Sequence, residues 1–374
     1  CNSGTDFVGS YTQLADSYKA MGEFDKAKQV LGDYLEKRGE SAEIHREFSS
    51  LYRALGKYDL ALSEANRALS LDPDQFWSLD ELALVYKSQK EFTKAEDVYW
   101  RLSGLTEPGA GYNAVNGAIS LNLLWGKYRE AQSWLNQGIN FAREINVKWA
   151  VSEWHIKSAY TYHKIGQYEE ALKECEMGLE NARQAARYSF SLQRTAMHME
   201  GIIHLANHSI DMAQITAKKL KEFIDAGIHK KSIRLYYHLS GMIELEKGNY
   251  SQAIDLIQKA YNLTFFKQIP EPNESLFKTN AQFMESLAIA YYRTGDLDKA
   301  LEQCENIISL TPGGIFYGDI YSRSIYLAGK IYEEKGNNNK AIEHYETFLE
   351  LCKNSDPGLT DVEDARKRLA DLKS

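Results

Sequence analysis

Apolar and small residues recur along this chain at helical intervals, and the intervals fall into pairs of amphipathic segments joined by a short turn. Residues 41–74 show the pattern most completely. Phe48, Ser49 and Tyr52 share one face of a first segment, Gly56 and Tyr58 mark a turn, and Ala61, Ala65 and Ala68 give a second segment a surface that packs closely. Pro73 closes the unit. The anchor alanine recurs at Ala27, Ala61, Ala95, Ala131, Ala171, Ala213, Ala253, Ala300 and Ala341, in steps of 34, 34, 36, 40, 42, 40, 47 and 41 residues. Most of these alanines follow a Gly-x-aromatic turn such as Gly22-x-Phe24, Gly126-x-Tyr128, Gly166-x-Tyr168 or Gly248-x-Tyr250. The pattern predicts nine helical hairpins and no sheet.

A period near 34 residues carrying large-small-Tyr, Gly-x-Tyr, Ala and a late Pro resembles the tetratricopeptide repeat, TPR, of bacterial type. The resemblance implies an all-α, right-handed TPR superhelix, an α-solenoid, running through residues 1–374 as a single array. Repeats are placed at 8–40, 42–74, 76–108, 112–146, 150–185, 190–227, 232–264, 276–313 and 318–354. All six prolines fall between repeats or after the last, as helix breakers should. Seams are expected at 103–113 and 265–275. A capping helix is expected over 360–373, where Val362, Ala365, Leu369 and Leu372 form one apolar stripe and Thr360 with Glu363 has the spacing of a capping box. The run from Asp356 to Lys373 also resembles the ends of TPR arrays in bacterial signalling proteins, some of which carry a kinase domain ahead of the repeats. No kinase motif is present in this sequence.

Composition narrows the classes. With 44% hydrophobic and 26% charged residues the chain reads as a soluble globular protein, and its longest apolar run, around Ala118–Trp125, is too short for a bilayer. A net charge of −8 gives no overall footprint for nucleic acid; the cluster Lys218, Lys219, Lys221, Lys230 and Lys231 reads as a solvated face. The four cysteines form no C-x-x-C pair, and Cys175 and Cys304 stand four residues after anchor alanines, an inward position. Cys1 admits two readings, a cut fragment or the processed start of a lipoprotein with CNSGTD as its polar tether. The location is accordingly read as cytoplasmic, with an envelope protein lipid-tethered at Cys1 as the alternative.

Phosphate loops, H-E-x-x-H and G-x-S-x-G are all missing from the sequence. Glu200, His204 and His208 share a helical spacing that suits a metal, but His208 falls where other units have their turn Gly, so no metal and no cofactor are assigned. The expectation is a non-catalytic scaffold for a protein or peptide, with a ligand-responsive sensor module of a signalling protein as the alternative. In TPR proteins the first helices line the concave groove. On this register the groove stripe holds Arg46, Arg53 and Lys87 early, then Ile156, Tyr160, His163, His198, Ile202, His238 and Met242, then Tyr292, Tyr326 and Lys330. The middle stripe reads as an apolar strip whose three histidines, protonated below about pH 6.5, would weaken an apolar partner. The alternative for that strip is that longer helices have shifted the register and turned these side chains into core. The Lys-Asn-Asn-Lys-Arg set of chaperone-binding TPR domains does not occur at the matching positions.

Overall fold

The computed structural model describes residues 5–228, 230–263, 281–310 and 318–374. The second expected seam, 265–275, and Cys1 lie outside the described residues. Among the described residues the chain forms helical hairpins: α1 (Thr5–Ala20) with α2 (Phe24–Arg38), α3 (Ala42–Ala54) with α4 (Tyr58–Leu71), α5 (Phe76–Ser88) with α6 (Phe92–Ser103), and α7 (Pro108–Leu124) with α8 (Tyr128–Glu144). These are followed by α9 (Lys148–Lys164) with α10 (Tyr168–Gln184), α11 (Ser189–Ala206) with α12 (Ile210–Ala226), and α13 (Ile233–Glu246) with α14 (Tyr250–Asn262). The last are α15 (Ala281–Thr294) with α16 (Leu297–Ser309), α17 (Gly318–Glu334) with α18 (Asn338–Leu351), and a single closing helix α19 (Thr360–Lys373).

Two features of the sequence make these hairpins. Each turn holds a residue in the left-handed region, with φ between 55° and 80°, at Gly22, Gly56, Lys90, Gly126, Gly166, His208, Gly248, Gly295 and Gly336. That conformation lets the next N–H reach back to a carbonyl of the departing helix, as Lys57 does to Tyr52 at 2.8 Å and Gln167 to Tyr162 at 2.9 Å. The second helix then starts with an anchor alanine in its first turn, and all nine alanines are 0% exposed. A methyl is what fits where the two helices meet, so their spacing fixes the hairpins.

The chain divides into two compact units, the boundary falling within α7 at residues 121 and 122. In the first unit the first helices α1, α3 and α5 stack on one another. Their shared face is polar but buried and paired: Lys19 Nζ donates to Glu47 at 2.8 Å, and Arg53 makes two 2.8 Å bonds to Glu81. In the second unit α9, α11, α13, α15 and α17 form the equivalent row, with α10, α12, α14, α16 and α18 outside it.

The second unit brings its own two ends together. Asp356 N–H donates to Gly126 O at 3.0 Å, and the Asp356 carboxylate accepts from Arg129 N–H at 2.9 Å, 227 residues away in sequence. Cys352 Sγ lies 3.9 Å from Leu124 O. Beyond this junction α19 buries Val362 and Ala365 against α17 and α18. The capping box expected of Thr360 and Glu363 is not formed. Leu359 is the cap residue, and its carbonyl takes the Glu363 N–H at 3.1 Å, because the preceding loop is already held against Gly126.

The left-handed turns give a direct test. No atom stands within 4 Å of a methyl built at Gly166, so Gly166→Ala meets only backbone strain and should lose about 1 kcal/mol of stability. His208→Gly relieves the same strain and should gain up to about 1 kcal/mol. Urea midpoints at pH 7 measure both; a stabilised Gly166→Ala would show that the turn does not require its left-handed residue.

Candidate functional pocket

The first helices of the second unit, the α7–α8 turn and the start of α19 enclose a cavity of about 730 Å³. One wall is apolar and comes from successive first helices: Ile202 and Leu205 on α11, Met242 on α13 and Ile289 on α15. Ile202, Met242 and Ile289 are half-buried, their inner sides packed on the helical core and their remaining surface open to the cavity. The opposite wall is polar. Here α17 supplies Arg323, which is joined at 2.7 Å to Asp319 beneath the wall and also gives Nε and Nη2 to Glu285 at 2.9 and 2.6 Å. Tyr160 OH donates to Asp319 at 2.7 Å, and Tyr128 OH does so at 3.2 Å. Asp319 is 1% exposed, so its carboxylate depends on these donors in place of water.

Electrostatics follow from this burial. Burial, and then the nearby Asp319 charge, raise Tyr128 and Tyr160 well above the usual phenol range, which keeps both as donors. Burial works against the Arg323 charge, but Asp319 and Glu285 outweigh it and hold the guanidinium well above its ordinary value. Lys164, at the end of α9, lines the same cavity with its ammonium 5.0 Å from the Tyr160 ring centre. Burial and the neighbouring Arg323 lower it to about 8. His163 beside it is lowered to about 3 by burial, Lys164 and Arg323, and its Nδ1 is buried without a hydrogen-bond partner.

The residues expected on the groove separate into five places. Tyr160, His163, Ile202, His238 and Met242 all line the cavity. His198 lies behind His238, with His198 Nε2 2.8 Å from His238 Nδ1 and His238 Nε2 2.8 Å from Ser286 Oγ. Ser286 donates onward to Gln282 O, so the chain of bonds runs in one direction with both rings neutral. Ile156 is core: it is 1% exposed and packs against Gly178, where an added Cβ would stand 3.0 Å from it. Gly178 on α10 leaves the notch that this side chain fills.

The remaining groove positions are spoken for. Arg53 is buried against Glu81, Lys87 is buried with Nζ 3.3 Å from Ser120 Oγ, and half-buried Arg46 pairs with Glu47. The basic early groove is therefore largely internal to its own repeats. Tyr292, Tyr326 and Lys330 gather apart from the cavity, the Lys330 ammonium lying 5.1 and 5.6 Å from the two ring centres, with Tyr326 OH donating to Asp364 at 2.6 Å. Among the described residues no three His, Cys, Asp or Glu side chains gather as a metal site, and Glu200 and His204 stand 3.8 Å apart. The three described cysteines are buried, and burial pushes Cys304 and Cys352 up to about 12.

Arg323, which lines the pocket, and Asp319, buried behind it, were not anticipated. Their i, i+4 spacing is visible in the sequence, but their partners Tyr160 and Tyr128 lie 159 and 191 residues away. The expectation of histidines titrating near pH 6.5 is overturned. Burial lowers His198 to about 4, and burial together with His198 lowers His238 well below the ordinary value.

Tetratricopeptide-repeat family models match residues 12–76 and 322–355. No curated protein matches the sequence. Similar solved structures include a tetratricopeptide repeat protein from Parabacteroides merdae, at 14% identity over 89% of this chain and 99% of that one, with a TM-score of 0.40. BtubC from P. vanneervenii aligns at 15% identity over 61% and 98%, TM-score 0.44, and yeast Tom70 at 12% over 99% and 96%, TM-score 0.35. No residue role is carried over from them.

The buried histidines predict a pH dependence with a definite sign. The unfolded chain binds protons near pH 6.5, while the folded chain resists them until about pH 4 at His198. Stability is therefore complete above 6.5 and falls as pH drops, by up to about 1.4 kcal/mol per pH unit for each such histidine. Urea midpoints at pH 7 and pH 5 should show a clearly smaller loss for a His198→Leu/His238→Leu double variant than for the natural sequence. Equal losses would contradict the neutral pair.

Proposed function

The chain is a tetratricopeptide-repeat protein, and we propose that it acts as a non-catalytic binding scaffold that takes a short peptide segment of a protein partner into the pocket of its second unit. Repeat arrays of this kind present concave surfaces to protein partners. The observation that carries the finer reading is the cavity itself. Its volume lies within the range of pockets that enclose small ligands, and its lining joins an apolar wall to a few fixed polar groups. Ile202, Met242 and Ile289 present flexible and branched apolar surface at successive steps of the helix row, which suits side chains along an extended segment. The Asp319, Arg323 and Glu285 cluster orients the opposite wall without needing a ligand, since its members satisfy one another.

A ligand-responsive reading is the second proposal, favoured by one feature. The two ends of this unit meet through the short 352–359 segment, so a ligand held between them would bias how firmly they close. No helix among the described residues is long and apolar enough to cross a membrane.

The test uses a pooled library of capped hexapeptides and the whole chain. Peptides retained by the natural protein should lose at least about tenfold in affinity to Met242→Ser and to Ile202→Ser. Because these side chains are half-buried, each change should lower stability by only about 1–2 kcal/mol. Unchanged affinity in both variants would remove the pocket as the binding site.

A further inference from the structure

Within the pocket, the charged groups are unequally provided for. Arg323 is held by two carboxylates, and Glu246 on α13 pairs with Arg293 at 3.1 Å. Asp361 stands in the first turn of α19, where the helix N-terminus meets its charge. Lys164 has no such arrangement. Among the described residues it makes no ion pair or hydrogen bond; its ammonium rests over the Tyr160 ring and is otherwise turned to the cavity. The groups facing it are Tyr160 and His163 on its own helix, Asp319 and Arg323 on α17, Glu285 on α15 and Asp361 on α19. Two of those carboxylates, Asp319 and Glu285, are already committed to Arg323. Next to it the buried His163 Nδ1 lacks a partner.

An ammonium partly withdrawn from water and bonded to no carboxylate of its own is unfavourable in the empty pocket and becomes favourable once an anion arrives. We propose that Lys164 is the anion-recognising residue of this pocket, and that the ligand is an acidic peptide segment. Its Asp or Glu side chain meets Lys164, while its apolar side chains lie on Ile202, Met242 and Ile289. This inference rests on the peptide-binding reading given above. It adds a requirement which that reading does not contain, namely a negative charge on the ligand. It also has a pH signature. Lys164 sits near 8, so above that pH its side chain in the free pocket loses its positive charge while Arg323 keeps its own, whereas the bound anion favours the charged form of Lys164. Affinity for an acidic ligand should therefore be full below pH 8 and fall above it by up to about tenfold per pH unit.

The experiment compares three hexapeptide pools of apolar background: capped with an internal Glu, capped with Gln in its place, and Gln-containing with a free C-terminal carboxylate. Binding is measured by calorimetry to the whole chain and to its Lys164→Met and Lys164→Arg variants at pH 7 and pH 9. The natural protein should prefer the Glu pool over the capped Gln pool by at least about tenfold at pH 7 and lose most of that preference at pH 9. Lys164→Met should show no preference. Lys164→Arg, whose charge does not titrate here, should keep the preference at both pH values. Equal binding of the Glu and capped Gln pools would overturn the Lys164 assignment and leave the peptide pocket standing. Preference for the free C-terminus over the internal Glu would overturn the side-chain assignment. Failure of all three pools to bind would instead overturn the peptide reading on which it rests.

Discussion

The second unit depends on one buried carboxylate. Asp319 has almost no contact with water, and its hydrogen-bond acceptors are met by Tyr160, Tyr128 and Arg323, which come from three different helices. A buried charge is tolerated only while its partners stay in place, and removing one of them typically costs about 3–5 kcal/mol. Tyr160 and Tyr128 belong to the opening of this unit and Asp319 to its last hairpin. The same interaction therefore satisfies the charge and ties the first repeats of the unit to the last. The bonds from Asp356 to Gly126 and Arg129 act at the same junction from outside. The cavity exists because these ends meet.

The repeat architecture was open to reading in the sequence because it is written locally. A left-handed turn residue and an alanine in the next helix's first turn sit within five residues of each other, and the resulting hairpin needs nothing distant. His208 shows the rule by its exception: it stands where Gly is usual and still adopts a φ of 55°. The pocket was only partly open to reading. Met242, Ile202, Tyr160, His163 and His238 were reached by counting along first helices, which line the cavity here. Ile156 was misplaced because it fills a notch at Gly178 on α10, and a glycine notch on another helix leaves no periodic trace. Arg53 was misplaced because its partner Glu81 belongs to the next repeat. Asp319 could not be found by spacing, since what makes it central is contact with residues more than 150 positions away.

The two units use buried charge differently. In the first, Lys19 with Glu47 and Arg53 with Glu81 link neighbouring first helices, so cations that would otherwise face a partner serve the stack itself. In the second, the cluster around Arg323 closes on itself and leaves Lys164 with no carboxylate of its own. Selectivity in such a pocket arises from groups left without a bonded partner, as Lys164 is, because fully paired groups gain little from a ligand. The apolar wall supplies contact area and the lysine supplies discrimination.

Hydrogen–deuterium exchange on the whole chain, with and without the peptides it retains, tests this account most directly. Binding in the pocket should slow exchange at the end of α9, in α11 and α13 and across residues 355–362, while α3 and α5 in the first unit stay unchanged. Protection confined to α3 and α5, with none across 355–362, would contradict the placement of the binding site in the second unit.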